Sequence, residues 1–184
     1  SVTLFSREGE IEIAKKIEQG ERDVLRAMLD CPLSLQTIFM YGDKMERKSM
    51  RPKHVLRDVD EGDGAVDEVS KQEKFLSSLK IIKEIHADSQ EKRDQLSLSK
   101  KNTKKYQTLA KDIFENTENI FEQLKQWRFE SNVMDNIEKN IRNSIVWFDR
   151  IDTLMEKCAA TFNVKPKTML DKLEDEAVFV EWAM

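Results

Sequence analysis

Ile137, Ile141, Ser144, Phe148, Ile151, Met155, Cys158 and Phe162 recur at alternating steps of four and three, with Ser144 as the interruption. A strand cannot keep that period. It belongs to one face of a helix that packs along a neighbour, so one long helix is predicted from Met134 to about Phe162. Two earlier stretches read the same way. Ser70 to about Leu98 places Phe75, Leu79, Ile82 and Ile85 on one stripe, and Asn102 to Arg128 does so with Tyr106, Leu109, Ile113, Ile120, Leu124 and Trp127. The whole chain has only 5 Gly and 3 Pro, nearly all at the edges of such segments, so little interrupts the helices. The expected fold is all-α: an elongated helical bundle with long antiparallel helices and an acidic flexible linker. No repeat of fixed length is present, which argues against a solenoid.

The first twenty residues predict a short capped helix. Ser6 is the N-cap, Glu8, Glu10 and Glu12 place negative charge on the first turns, and Gly20 is expected to stop it. Ile13, Ala14 and Ile17 share a face that should dock on a partner, and Glu12 to Lys16 is an i,i+4 pair of the favourable orientation. Glu21 to Cys31 carries Val24, Leu25, Met28 and Leu29 and ends at Pro32, and Leu33 to about Arg47 continues with Leu35, Ile38, Phe39 and Met45. From Met50 to about Val69 the pattern dissolves. Pro52, Gly62 and Gly64 stand among Asp58, Asp60, Glu61, Asp63, Asp67 and Glu68, while Val55, Leu56, Val59 and Val66 keep no period. The organisation expected is therefore residues 1–49, an acidic linker at 50–69, and a helical region at 70–184. In the tail Pro166 marks a last helix with Met169, Leu170 and Leu173, and Ala177 to Met184 should cap the bundle through Val178, Phe179 and Trp182.

Composition narrows the function classes. With 184 residues, 39% hydrophobic and 36% charged, the chain can bury a real core, and no apolar run approaches the roughly 20 residues that span a bilayer. A soluble, cytoplasmic protein is expected, without a membrane partner. The start at Ser1 rather than Met suggests an excised piece with artificial ends. Cys31 and Cys158 are far apart with no CxxC or Cys/His cluster, so they read as buried free thiols rather than a disulfide or zinc site. His54 and His86 are the only histidines, the second on the polar side of its helix, and neither forms an acid/base pair. No phosphate-binding loop, dinucleotide fingerprint or zincin signature occurs. Neither an enzyme nor a cofactor, metal or small-molecule substrate is expected.

Two basic clusters stand out against a formal net charge of −4. Lys44, Arg47, Lys48, Arg51, Lys53 and His54 precede the acidic stretch, and Lys100, Lys101, Lys104 and Lys105 mark a turn between helices. Either could neutralise phosphates, and either could be a solvated helix end. Trp127, Phe129, Trp147 and Phe148 sit at or beside helical core positions and are expected inside rather than stacked on bases.

The run Leu4-Phe-Ser-Arg-Glu-Gly-Glu-Ile-Glu-Ile-Ala-Lys-Lys-Ile-Glu-Gln-Gly20 resembles the end of conserved region 1.2 of bacterial primary sigma factors, the promoter-recognition subunits of RNA polymerase. Leu154-Met-Glu-Lys-Cys158, Val164-Lys-Pro-Lys167 and Glu181-Trp-Ala183 resemble the late part of the family's nonconserved insert, in the same order and at the right distance. The resemblance implies a non-enzymatic role in transcription initiation, with RNA polymerase core, through its large catalytic-side subunit, and promoter DNA in the full-length protein as partners. Carried over by motif, Leu4, Phe5, Ser6 and Arg7 are the DNA-proximal residues; from the two basic clusters themselves, Lys44, Arg47, Lys48, Arg51, Lys100, Lys101, Lys104 and Lys105 are possible phosphate contacts. The family's main discriminator contacts precede the motif and its minus-ten-reading helices follow the insert, so this piece is expected to lack initiation activity alone. The alternative expectation is a helical scaffold or coiled-coil module unrelated to transcription.

Overall fold

A computed structural model describes residues 6–57, 59, 65–101 and 103–173. Among them are six α-helices: α1 (Arg7–Leu29), α2 (Pro32–Glu46), α3 (Ala65–Ser97), α4 (Lys104–Leu124), α5 (Ser131–Thr161) and α6 (Pro166–Leu173), with one 3-10 turn at Pro52–His54. No strand occurs among the described residues, so the fold is all-α. The chain divides into two compact units, Ser1–Glu138 and Lys139–Met184.

In the first unit α3 packs along α4 and α2 packs on α3, while the C-terminal half of α1 lies on α2 and α4. The stripes predicted for α3 and α4 are its core: Phe75, Leu79, Ile82, Leu109, Ile113, Ile120 and Leu124 are all buried. From α2, Leu35, Ile38, Tyr41 and Met45 complete it. Ser34, fully buried at the start of α2, donates to the Met28 carbonyl at 2.5 Å and so fastens α2 to the last turn of α1. Asp88 of α3 accepts from Asn116 of α4 at 2.6 Å and from Lys92 at 2.6 Å, and these donors hold its carboxyl below the usual carboxylate range.

The first helix does not stop at Gly20. Strong helix formers flank that glycine on both sides, and Leu25 and Leu29 beyond it are buried, so continuing costs only the propensity penalty of about 1 kcal/mol. The chain breaks instead at Asp30, and Pro32 opens α2 at a position where its missing N–H is not needed. Gly42 is required for a different reason. A Cβ there would overlap the Leu79 side chain, so the absence of one lets α2 approach α3 closely. Opposite outcomes follow for the two glycines. Gly20→Ala, with open space around the added methyl, is expected to raise stability by about 0.5–1 kcal/mol. Gly42→Val should lower it by about 1–3 kcal/mol through overpacking. Urea midpoints of the two variants check the signs.

Of the stretch 50–69 expected to be a flexible linker, the described residues 52–57 are built into the first unit. Pro52, Val55 and Leu56 are buried, and Leu56 forms an isolated antiparallel bridge with Phe129. Arg57 N–H donates to the Arg128 carbonyl at 2.8 Å, and Glu130 N–H to that of Val55 at 2.9 Å. Val55 ends the 3-10 turn in the αR region and Leu56 bridges Phe129, so neither belongs to a helix that would impose a period. The acidic end is helical from Ala65 as the first turns of α3. Asp58 and the residues 60–64 lie outside the described residues.

The opening turns of α5 finish the first unit, with Val133 and Ile137 fully buried and Asn136 Nδ2 donating to the Tyr41 hydroxyl at 2.6 Å. In the second unit the predicted stripe of α5 has a different environment. Ile141, Ser144, Ile151 and Met155 are half-buried, Cys158 and Phe162 are exposed, and Trp147 and Phe148 are 55% and 60% exposed. Those two rings are therefore not core, and Cys158 is not a buried thiol, although both cysteines are free. The period states which residues share a face and not whether anything covers it. The helix closes at Asn163, whose φ of 54° is left-handed, with Val164 N–H on the Ala159 carbonyl at 3.0 Å. Met169 of α6 is buried. The expected cap from Ala177 to Met184 lies outside the described residues.

Candidate nucleic-acid interface

Of the residues implied to lie near DNA, Leu4 and Phe5 fall outside the described residues. Ser6 is the N-cap of α1, its hydroxyl accepting from Gly9 N–H at 3.2 Å, and Arg7 is exposed in the first turn. The turns that follow are uncovered. Ile11, Ile13 and Ile17 are 49%, 37% and 55% exposed, so among the described residues the face expected to dock is largely uncovered. Docking is left to Leu25 and Leu29, reinforced by Arg26, which bonds Glu118 of α4 at 3.0 Å and lies 4.3 Å from the Phe121 ring centroid.

The first basic cluster gathers at the C-terminus of α2. Lys44 is exposed in the last turn with its ammonium 5.7 Å from the Tyr41 ring centroid, and Arg47 is the C-cap. Lys48 follows at φ 56°, where Ser49 N–H closes the helix onto the Lys44 carbonyl at 2.9 Å. Cations here complement the negative end of the helix dipole. Arg51 is 3.7 Å from Glu68 of α3, so part of its charge is already matched. The second cluster has the opposite setting. Lys100 and Lys101 are exposed in the turn after α3, Thr103 caps α4 by accepting from Tyr106 N–H at 3.1 Å, and Lys104 and Lys105 stand in the first turn with no acidic residue beside them. The helix dipole disfavours cations at that end, and a phosphate would be welcomed by both.

The two clusters do not merge. The first is tied to the start of α3 by Arg51 with Glu68 and by Gln72, which donates to the Met45 carbonyl at 3.1 Å; the second follows the end of α3. At 1.5 Å per residue they are separated by about 40 Å along that helix. They can meet one extended polyanion at two points but cannot form one pocket.

Trp127 is half-buried, its ring edge-on to Phe75 at 5.2 Å with Nε1 3.4 Å from Ser78 Oγ, and Phe129 is buried, as expected of core rings. His86 is not on a polar face. It is half-buried against Phe39 at 5.7 Å, and burial, followed by the nearby Arg93 charge, lowers its pKa below the ordinary histidine value. What periodicity did not reveal is a convergence on Glu21. Arg57 bonds that carboxylate with one arm and Ser131 Oγ at 2.9 Å with the other, while Arg128 approaches the same carboxylate at 3.7 Å. An arginine in an apparent linker, one in a turn and a glutamate in mid-helix carry no shared sequence signal. Among the described residues no group of three His, Cys, Asp or Glu could hold a metal ion, and no helix is long and apolar enough to cross a membrane. No family model matches the chain.

Proposed function

We propose that this chain is a region of a bacterial primary sigma factor, acting without catalysis through contacts to RNA polymerase core and to promoter-proximal DNA in the full-length protein. The reading is carried by the Leu4 to Gly20 run, and the exposure of Ile11, Ile13 and Ile17 supports it, since a segment serving a larger assembly should leave an apolar face for that assembly. The uncovered lysines at the start of α4 are the candidate phosphate contacts. Replacing Lys100, Lys101, Lys104 and Lys105 by Glu in the full-length protein should weaken promoter-complex formation most at low salt. The slope of log K against log salt should fall by up to about 0.9 per lost phosphate contact. Unchanged affinity at low salt would reduce the cluster to a solvated turn.

A second reading, a helical scaffold outside transcription, is favoured by the exposed Ile145 and Phe148, three residues apart on one side of α5, which offer apolar surface of no particular family. The two separate by sequence. A reading frame that continues past Met184 into an Asn-Leu-Arg-Leu-Val-like helix supports the sigma reading, and a frame without one favours the scaffold.

A further inference from the structure

Every residue of α1 from Glu10 to Gly20 is exposed, so about three turns of that helix are largely uncovered among the described residues. Three turns on their own are marginal in water and gain from cover. Ile13, Ile17, Gly20 and Val24 follow one another at steps of four, three and four, which makes a second apolar stripe on this helix. It lies about 130° around the axis from the side that docks through Leu25 and Leu29, and Ile13, Ile17 and Val24 are all exposed. Gly20 stands in the middle of it. A glycine costs helix stability, and nothing among the described residues uses its missing Cβ, since one there would meet nothing within 4 Å. A neighbour that came close at this point from outside the described fold would use it.

We infer that this stripe is where two copies of the chain associate, α1 against α1, antiparallel about a two-fold axis. Antiparallel pairing at this spacing sets Ile13 against Val24 of the second copy and Ile17 into the space that Gly20 of that copy leaves. The flank of the stripe is then complementary to itself. Lys16 and Asp23 lie seven residues apart on one flank, and the same register brings Lys16 of each copy opposite Asp23 of the other, twice over by symmetry. Their present partners lie within α1, Glu12 on Lys16 at 2.8 Å and Gln19 on Asp23 at 2.8 Å, and such exposed bonds are exchanged at little cost. A parallel pair is disfavoured. It would set Gly20 against Gly20, leaving a gap, and bring Lys16 to Glu21, which Arg57 and Arg128 already hold. The contact is small, so the pairing is weak, with a dissociation constant on the order of 100 µM. Ile13 and Ile17 also belong to the face offered to a larger assembly, so pairing and that assembly exclude one another; the pairing itself rests on no role in transcription.

Sedimentation equilibrium of the whole chain, from about 5 µM to about 1 mM, reads the association directly and should show a monomer passing into a dimer across that range. Ile17→Asp is expected to weaken pairing by about tenfold or more, with an unchanged urea midpoint because the position is exposed. Phe148→Asp, on the other helix with uncovered apolar residues, should pair like the parent. The charges test the register. Lys16→Glu and Asp23→Lys should each weaken pairing by about threefold or more, since each sets two like charges face to face, and the double swap should restore it. A chain that stays monomeric at the highest concentration, as it would if the stripe awaits only a foreign partner, overturns the inference. So does an Ile17→Asp chain that pairs as tightly as the parent, a Phe148→Asp chain that no longer pairs, or a double swap that recovers nothing.

Discussion

Replacing Phe75 by alanine is expected to lower the free energy of unfolding by about 3–5 kcal/mol, a large share of what a domain of this size possesses. The side chain is wholly buried, and two aromatic rings lean on it edge-on, Trp127 at 5.2 Å and Phe129 at 6.1 Å. Neither neighbour can follow into the vacated space at no cost. Trp127 is held by Ser78, and Phe129 by the pairing of its strand-like segment with residues 55–57. The loss is therefore the transfer term of the ring, the edge-on contacts, and a cavity that fills poorly. Phe75→Leu should fall between the parent and the alanine variant. Phe114, 64% exposed on α4, is the control, and Phe114→Ala should change stability by no more than about 0.5 kcal/mol. Urea unfolding followed by tryptophan fluorescence measures all three. A Phe75→Ala variant that loses no more than Phe114→Ala would mean that this aromatic cluster is not the core of the unit.

How much of this was legible in the sequence depends on what each signal encodes. The stripes of α3 and α4 were plain because each helix has a partner along its length, and every residue of the period is then under the same packing demand. The stripe of α5 was equally plain and yet misleading beyond Ile137. Phe148 keeps the period while 60% exposed, since periodicity records a face and carries no information on its neighbour. Gly20 failed in the other direction, because the burial of Leu25 and Leu29 outweighs a propensity cost that a local rule counts as a stop. In the candidate interface the composition of both basic clusters was readable, but their separation along α3 was not, since it depends on which end of a long helix each one adjoins. The Glu21, Arg57 and Arg128 convergence had no local signal at all. It joins residues that are 36 and 107 positions apart from Glu21 through the bridge between Leu56 and Phe129, and only tertiary pairing creates it.

Val55 is the position where a flexible linker and a built-in segment predict opposite results. A linker would accept Val55→Asp with a change within about 0.5 kcal/mol. The structure instead puts Val55 at 0% exposure, with its N–H on the Pro52 carbonyl at 2.9 Å and its own carbonyl accepting from Glu130. A carboxylate there would have to leave water for a fully buried position. The expected loss is on the order of 3–5 kcal/mol near neutral pH. The sign of its pH dependence is an independent check. Burial would raise the folded-state pKa of the new carboxyl above the unfolded value of about 3.9, so the unfolded chain releases its proton first as pH rises. The variant's deficit should then be smallest near pH 4 and should grow by about 1.4 kcal/mol per pH unit until the folded-state pKa is reached. Val69→Asp, at a position 54% exposed on the first turns of α3, should show neither the loss nor the slope. Urea titrations of both variants across that pH range separate the cases. If Val55→Asp behaves like Val69→Asp, the segment 50–57 is not part of the core, and the bridge that holds Arg57 and Arg128 beside Glu21 loses its anchor.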